Sequence, residues 1–348
     1  HSKQEVSMGK RITIQDIADS LGVSRNTVSK AINNTGVLAD ATRDKILQKA
    51  AELGYKQFSY LSPAVSVPKP EICEIALFTR AMPNSSHFGS KLLNTFQEKI
   101  SSNGYRLSFY LIREQEFTDL LLPAGFDPSN SAGIICLELF DCAYSQMLSK
   151  LDIPLLFTDC AANIDFTTID ADFLLMENRN SISSIVQSLI KNGQHRLAFA
   201  GNINNCQSFF ERYQGFCDAL SLSGLKPVTD ILLADEPFHT IEQLASYIRQ
   251  LPELPDAFIC ANDFVAMDLI KALKQCGLSV PEDVKITGFD NSAESRIIEP
   301  HLTTVHIPSS AMGYIAAELL LSRIEEPGIP YRTTYVRTVI KYRESSHC

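Results

Sequence analysis

The sequence predicts two folds in one chain: a small all-α helix-turn-helix headpiece, then an α/β core of two doubly wound lobes. Three observations carry this expectation. At 348 residues the chain exceeds what one hydrophobic core usually serves. Its charge is split, with 9 Lys and Arg against 6 Asp and Glu in residues 1–58, a net of +3, and 22 against 34 in the remainder, a net of −12. Residues 13–54 show helical periodicity, whereas from Glu71 onward short apolar runs alternate with amphipathic ones.

The headpiece is laid out residue by residue. Thr13 with Asp16 three positions on resembles a capping box, and Ile14, Ile17, Ala18 and Leu21 recur at helical spacing. Gly22 can take the left-handed conformation that stops this helix, Val23 is apolar enough to tuck beneath the turn, and Ser24 is placed to cap a second helix from Arg25. There Val28, Ala31 and Ile32 share one side, leaving Arg25, Asn26, Ser29 and Lys30 outward as donors for base edges and phosphates. A third helix runs from an Asp40 cap through Ile46, Leu47, Ala50 and Leu53 to a Gly54 stop. An isolated helical hairpin is the plainer alternative, but a basic module on an acidic chain points to a polyanion partner.

In the core, ICEIALFT, YRLSFYLI, AGIICLEL, IPLLFTD, HRLAFAGN, DAFICAND and VKITGFD read as buried strands, with helices such as FGSKLLNTFQEKISSNGY and SISSIVQSLIKNGQ between them. Alternation of this kind implies parallel sheets with ligand groups just beyond the carboxyl ends of the strands.

Composition narrows the function classes. With 45% hydrophobic and 20% charged residues and no apolar run near the ~18 residues of a membrane span, no membrane partner is expected. The opening HSKQEVSMGKRITIQ lacks the apolar core of a secretory signal, so a cytoplasmic protein is expected. The nine cysteines are scattered without a CxxC pair or zinc spacing, which predicts mostly buried reduced thiols and no metal site. Neither GxGxxG after a strand nor GxxxxGK[ST], GxSxG or HExxH occurs, so no cofactor, no catalytic residues and no enzyme activity are expected.

The stretch ITIQDIADSLGVSRNTVSKAINNTGVLADATRDKILQKAAELGY closely resembles the headpiece of the lactose-repressor (LacI/GalR) family, including VSxxTVSxxxN, TRxxI and AAELGY. The segments ERYQGFCDAL, CANDFVAMDLIKAL, LSVPEDVKITGFDN, PHLTTVHIPSSAMGYIAAELLLSRI and YRESS extend the resemblance to residue 346. It implies that Arg25 and Asn26 read bases, that Lys30 is a further groove contact, and that Thr27 and Ser29 lie near phosphates. The family usually has Arg where this chain has Lys30, so a bidentate fork becomes a point charge there.

The resemblance also sets the domain plan. A DNA-binding domain spans 10–58 and an atypical linker 59–71. An effector-binding and dimerisation domain of periplasmic-binding-protein-like fold spans 72–346, with an N-lobe of about 72–170 plus 304–332 and a C-lobe of about 171–303 plus 333–346. The linker departs from the family: KQFSYLSPAVSVPKP contains Pro63, Pro68 and Pro70, and Ala64 aligns with the usual minor-groove Leu wedge. An extended tether is expected, with insertion of Tyr60 or Leu61 as the alternative, and the operator should bend less than with an apolar wedge.

Carried over one at a time, the effector residues are Asp159 after IPLLFTD, Arg212 in ERYQGF, whose donor fork suits ring oxygens, hydroxyls or a carboxylate alike, Asn262 in CAND and Asp290 in GFDN. For Asp159 a helix or turn cap is the alternative, and Asp263 is expected to cap the helix that follows Asn262. Without Trp, stacking on sugar rings falls to Phe88, Phe209 or Phe238, each equally readable as packing, with His87 and Ser208 as weaker candidates.

The resulting expectation is a homodimeric regulator, most simply a repressor, on pseudo-palindromic operator DNA, controlled by a small-molecule effector, a saccharide or its derivative. The alternatives are a solute-binding protein that never touches DNA, or a family-derived sensor with weak DNA binding.

Overall fold

A computed structural model describes residues 12–33, 35, 38–53, 55, 74–82, 87–226 and 240–346. The linker expected at 59–71, Gly54 and Phe238 lie outside these residues. Contacts divide the chain between residues 71 and 72 into two units.

The first unit holds α1 (Ile14–Leu21), α2 (Arg25–Ile32) and α3 (Asp40–Glu52). Thr13 and Asp16 form the reciprocal capping box, in which the Thr13 N–H donates to the Asp16 carboxylate at 2.7 Å. Gly22 has φ 65°, and the Val23 N–H donates to the Ala18 carbonyl, turning the chain into α2. Ser24 caps α2 by accepting from the Thr27 N–H at 3.1 Å. The expected cap of α3 is corrected: Ala39 is the N-cap without a side-chain hydrogen bond, and Asp40 is the first helical residue, where its charge favours the positive helix end. Ile17, Ala18, Val28, Ala31, Ile32, Ile46 and Ala50 are buried together, with Val23 and Tyr55 packed against them. Three short helices are thereby held by one mini-core, since none this short persists alone in water.

The second unit contains β1 (Glu74–Thr79), α4 (His87–Ser102), β2 (Arg106–Leu111), α5 (Glu114–Thr118), β3 (Ser131–Leu137), α6 (Cys142–Leu148), β4 (Leu155–Thr158), β5 (Asp172–Met176), α7 (Arg179–Lys191), β6 (Leu197–Ala200) and α8 (Gln207–Leu222). It continues through α9 (Ile241–Gln250), β7 (Ala257–Cys260), α10 (Asp263–Gln275), β8 (Lys285–Thr287), β9 (Thr304–His306), α11 (Ser309–Glu325), β10 (Thr333–Val336) and β11 (Val339–Lys341). A six-stranded parallel sheet has the order β10-β5-β4-β3-β1-β2, and a three-stranded parallel sheet the order β6-β7-β8, with β9 and β11 paired antiparallel.

The seven expected strands are present, and β5, β9, β10 and β11 are additional. They shift the lobe boundaries. Strand β5, expected in the C-lobe, lies between β4 and β10 in the first sheet, and β10 joins it there. Strand β9, expected in the N-lobe, pairs instead with β11. The chain therefore passes between sheets after Met176, His306 and Val336, a few residues later than anticipated. Every residue of β5 is buried, with β4 on one side and β10 on the other.

Helix packing explains part of the sequence signature. A Cβ at Gly215, in ERYQGF, would stand 2.2 Å from the Arg179 carbonyl oxygen, so only glycine lets α7 and α8 approach this closely. Four of the seven described cysteines, Cys136, Cys160, Cys206 and Cys260, are buried thiols, while Cys142 is exposed. Among the described residues, no helix is long and apolar enough to cross a membrane.

Candidate functional site

The outer face of α2 is built for a polyanion. Arg25, Asn26 and Lys30 are exposed, while Val28, Ala31 and Ile32 are buried on the opposite side. Thr27 and Ser29 are half-buried, and their hydroxyls already have local work: Thr27 pairs with Ser24 Oγ at 2.8 Å, and Ser29 Oγ accepts from Asn33 at 3.3 Å. The face thus presents two flexible cations and one amide on a rigid support.

In the second unit the carboxyl ends of the strands open on a cavity of about 1050 Å³, at the upper end for small-molecule sites. Asp159, Arg212, Asn262, Asp290, Phe88 and Phe209 all line it. Of the weaker candidates Ser208 does so too; His87 begins α4, and its side chain lies outside the description.

Arg212 is the most constrained of these. Its Nε donates to Asn178 at 2.9 Å, Nη1 to the Ala261 carbonyl at 2.6 Å, and Nη2 contacts the Met176 sulfur at 3.3 Å. The guanidinium carbon lies 3.6 Å from the ring centre of Phe289 and 5.4 Å from that of Phe209, so the cation packs on aromatic rings as well as being bonded. Asp290 faces it with Nη1 to Oδ1 at 3.7 Å. Although 28% of the Asp290 side chain stays accessible, burial pushes its carboxyl up to about 7, opposed by Arg212 and assisted by the charges of Asp263, Glu138 and Asp159. Burial likewise raises Asp159, whose Oδ1 accepts from the Cys160 N–H at 2.9 Å and the Ser208 N–H at 3.2 Å. Asp159 is therefore a turn cap that also lines the cavity.

The cap expected of Asp263 is corrected to Asn262. Asn262 caps α10, its Oδ1 accepting from the Val265 N–H at 2.9 Å, and its side chain also borders the cavity. Asp263 is fully buried behind it and accepts from the Ser292 N–H at 2.8 Å and the Thr304 hydroxyl at 2.5 Å, with burial raising it to about 6. A Cβ at Gly288 would stand 2.4 Å from that carboxylate, which ties the Gly of GFDN to the Asp of CAND.

Several lining residues escaped the sequence reading. Glu138 follows β3, as Asp159 follows β4, and the same rule about strand ends could have found it. Phe140 and Phe264 add aromatic surface. Asn291 and His306 bring their side chains within 3.2 Å of each other, and burial lowers the His306 pKa with help from Lys341, Lys91 and Arg296. These last came together only through the return of β9, which has no local signal.

The comparisons with known proteins agree with this layout. Residues 13–57 match the family described as "Bacterial regulatory proteins, lacI family", and residues 186–346 match "Periplasmic binding protein-like domain". The chain belongs to the lactose-repressor (LacI/GalR) family. It is 27% identical over 345 residues to the HTH-type transcriptional repressor PurR of Histophilus somni (strain 129Pt), covering 96% of this chain and 98% of that one. It is 28% identical over 343 residues to the probable HTH-type transcriptional repressor ExuR of Bacillus subtilis (strain 168), with 96% and 98% covered. The fold matches that of the transcriptional regulator CelR–cellobiose complex at a TM-score of 0.68, with 24% identity and 96% and 100% covered. As a LacI/GalR member, the chain is a DNA-binding transcription regulator with an effector-binding sensor domain, not an enzyme.

Proposed function

We propose that the protein is a homodimeric repressor that grips a pseudo-palindromic operator through Arg25 and Asn26, and that a sugar or sugar derivative in the core cavity switches that grip. Lys30 adds a groove charge and Thr27 and Ser29 face phosphates. The observation that carries the effector half is the cavity lining: Asp159, Asn262 and Asp290 offer hydrogen-bond acceptors at strand ends, and Phe88 and Phe209 offer apolar faces. Hydroxyls spaced around an apolar ring complement that mixture. The CelR neighbour holds cellobiose by its own description, which supports the same class here.

Ligand can act only if it binds the DNA-competent and DNA-incompetent pairings of two chains with different affinity. The domain plan of 10–58, 59–71 and 72–346 assigns DNA contact, tether, and sensing with dimerisation to successive segments, in a cytoplasmic protein. The test is binding selection from randomised duplex DNA by the full chain at low salt, followed by fluorescence anisotropy on the selected site with a saccharide library. A two-fold symmetric site whose affinity changes at least tenfold with one saccharide supports the reading. Absence of any sequence preference, with or without sugars, overturns it.

A further inference from the structure

Helix α8 follows β6 and so belongs to the lobe of the three-stranded sheet, yet its first turn is bonded to the other lobe. The Gln207 N–H donates to the Cys160 carbonyl at 2.8 Å and the Ser208 N–H to Asp159 Oδ1 at 3.2 Å, while Gln207 Oε1 accepts from the Asn163 N–H at 2.8 Å. Glu211, one turn further on, is 6% exposed, and its carboxylate is held by neutral donors. Its Oε1 accepts from Gln207 Nε2 at 3.0 Å and from the Tyr335 hydroxyl at 2.6 Å, and its Oε2 from Asn178 Nδ2 at 2.9 Å. Arg179, whose charge also reaches Glu211, is paired with Asp218. Tyr335 stands on β10 in the six-stranded sheet, half exposed and next to the crossover after Val336, so its bond to Glu211 joins the two lobes. Burial and the bond to Glu211 hold the phenol protonated, above its ordinary 10, so it stays the donor. Asn178, buried just past the crossover after Met176, engages both ends of its amide, Nδ2 with Glu211 and Oδ1 with Arg212 Nε at 2.9 Å.

We infer that Tyr335, Glu211 and Asn178 form a latch across the hinge, which fixes the angle between the lobes and ties it to Arg212, and are thereby positioning residues for the switch of operator affinity. The switch itself is the reading above, on which this inference rests. Three hydrogen bonds of 2.9, 2.9 and 2.6 Å lead from the cavity cation to a residue at the surface. A buried carboxylate held by neutral donors depends on each of them, because every one removed leaves charge in a poorly solvating interior. Turning the lobes against each other withdraws Tyr335, the donor that comes from the six-stranded sheet, so the angle present in this structure is favoured over its alternatives. A ligand that shifts Arg212 draws Asn178 with it, since both ends of that amide are engaged, and so changes the grip on Glu211. Latch strength and ligand then act on one equilibrium, and altering either shifts the population of the pairing that binds DNA.

The test is hydrogen exchange and operator binding of the full chain carrying Tyr335→Phe, which removes only the hydroxyl of a half-exposed ring. With no effector added, the Asn163, Gln207 and Ser208 amides, which bridge the lobes, should exchange at least about fivefold faster, while β1 and β7 inside the two lobes keep their rates. On the selected operator and its single-base variants, affinity should change at least about threefold, by one factor for every sequence and with the same salt slope, since a shifted equilibrium leaves the DNA contacts alone. Glu211→Ala should act in the same direction, and the double variant should match Glu211→Ala, because the bond is then already gone. Unchanged exchange at the three bridging amides, unchanged operator affinity, or additive effects of the two substitutions each overturn the inference. So does faster exchange throughout both lobes, which would make Tyr335 a general prop, and an affinity change that varies with operator sequence, which would place its effect in the headpiece. If selection yields no operator the reading above fails, and exchange at the bridging amides still decides for or against the latch.

Discussion

The headpiece and the sensor core handle charge in opposite ways. On α2 the functional cations are exposed, with Arg25 and Lys30 solvated above a small apolar core. In the cavity Arg212 is 2% exposed, stacked against Phe289 and bonded to three protein partners. An exposed cation costs little to keep and gains its energy only on meeting DNA, by releasing counterions. A buried cation must be satisfied before any ligand arrives, so it organises its surroundings as much as it recognises anything. The first kind of site should therefore tolerate substitution with loss of binding alone. The second should couple binding to stability.

The largest effect expected from this contrast is at Arg212. Arg212→Ala strips the partner from Asp290, orphans Asn178 Oδ1 and the Ala261 carbonyl, and leaves a void beside Phe289. Breaking a buried pair of this kind costs about 3–5 kcal/mol, which urea unfolding of the full chain would read. If the variant unfolds like the parent, the cavity cation is no more structural than those on α2, and the contrast fails.

The next effect concerns pH. Asp290 is raised to about 7 and Asp263 to about 6, both chiefly by burial, from the ordinary 3.8 of an aspartate. A carboxyl whose pKa is higher folded than unfolded binds more protons in the native state, so stability is lost as pH rises between the two values. The effector-free core should thus become less stable from about pH 4 to pH 7, each group contributing a slope of at most about 1.4 kcal/mol per pH unit. Asp290→Asn should flatten the upper part of that profile and abolish the saccharide response while leaving operator binding intact. Unchanged saccharide affinity in this variant would place the effector elsewhere.

How much of this was legible in the sequence follows the same division. The headpiece is contiguous, so caps and periodicity from Thr13 to Leu53 specify it almost completely; the exception is Ala39, a cap without a side-chain bond to signal it. In the core, interior strands such as β3 and β4 announce themselves as apolar runs. By contrast β9 and β11 are three residues each, and β10 is an edge strand with Thr333 and Tyr335 exposed, so their pairing depends on distant segments. The crossovers were misplaced for that reason. Asn262 and Asp263 are equally good caps on paper, and only the end of β7 decides which one turns to the Val265 N–H. Glu138 was readable as a strand-end carboxylate by the same rule that found Asp159.

At the exposed site the expected loss is smaller and confined to recognition. Arg25→Ala should reduce discrimination by about 1–3 kcal/mol at one base pair per half-site, with the unfolding midpoint unchanged. Uniform weakening across operator variants would reassign Arg25 to phosphate contact, as the charge alone would allow.

The smallest effect tests whether the headpiece is as independent of its surface as the comparison supposes. Thr13→Ala removes the side-chain half of the capping box on α1, in which the Thr13 oxygen accepts from the Asp16 N–H at 3.3 Å and its hydroxyl donates to the Asp16 carboxylate at 2.6 Å, and leaves the bond from the Thr13 N–H to that carboxylate in place. Loss of such a cap costs about 1 kcal/mol, and in this unit it falls on a mini-core made of only three short helices. Hydrogen exchange should therefore speed up across α1 and across the residues of α2 and α3 that bury Ile17 and Ala18. Sequence preference for DNA should be unaltered once binding is corrected for the unfolded fraction. A change in base preference would mean that α1 does more than support α2, and that the recognition face extends beyond the side chains exposed on it.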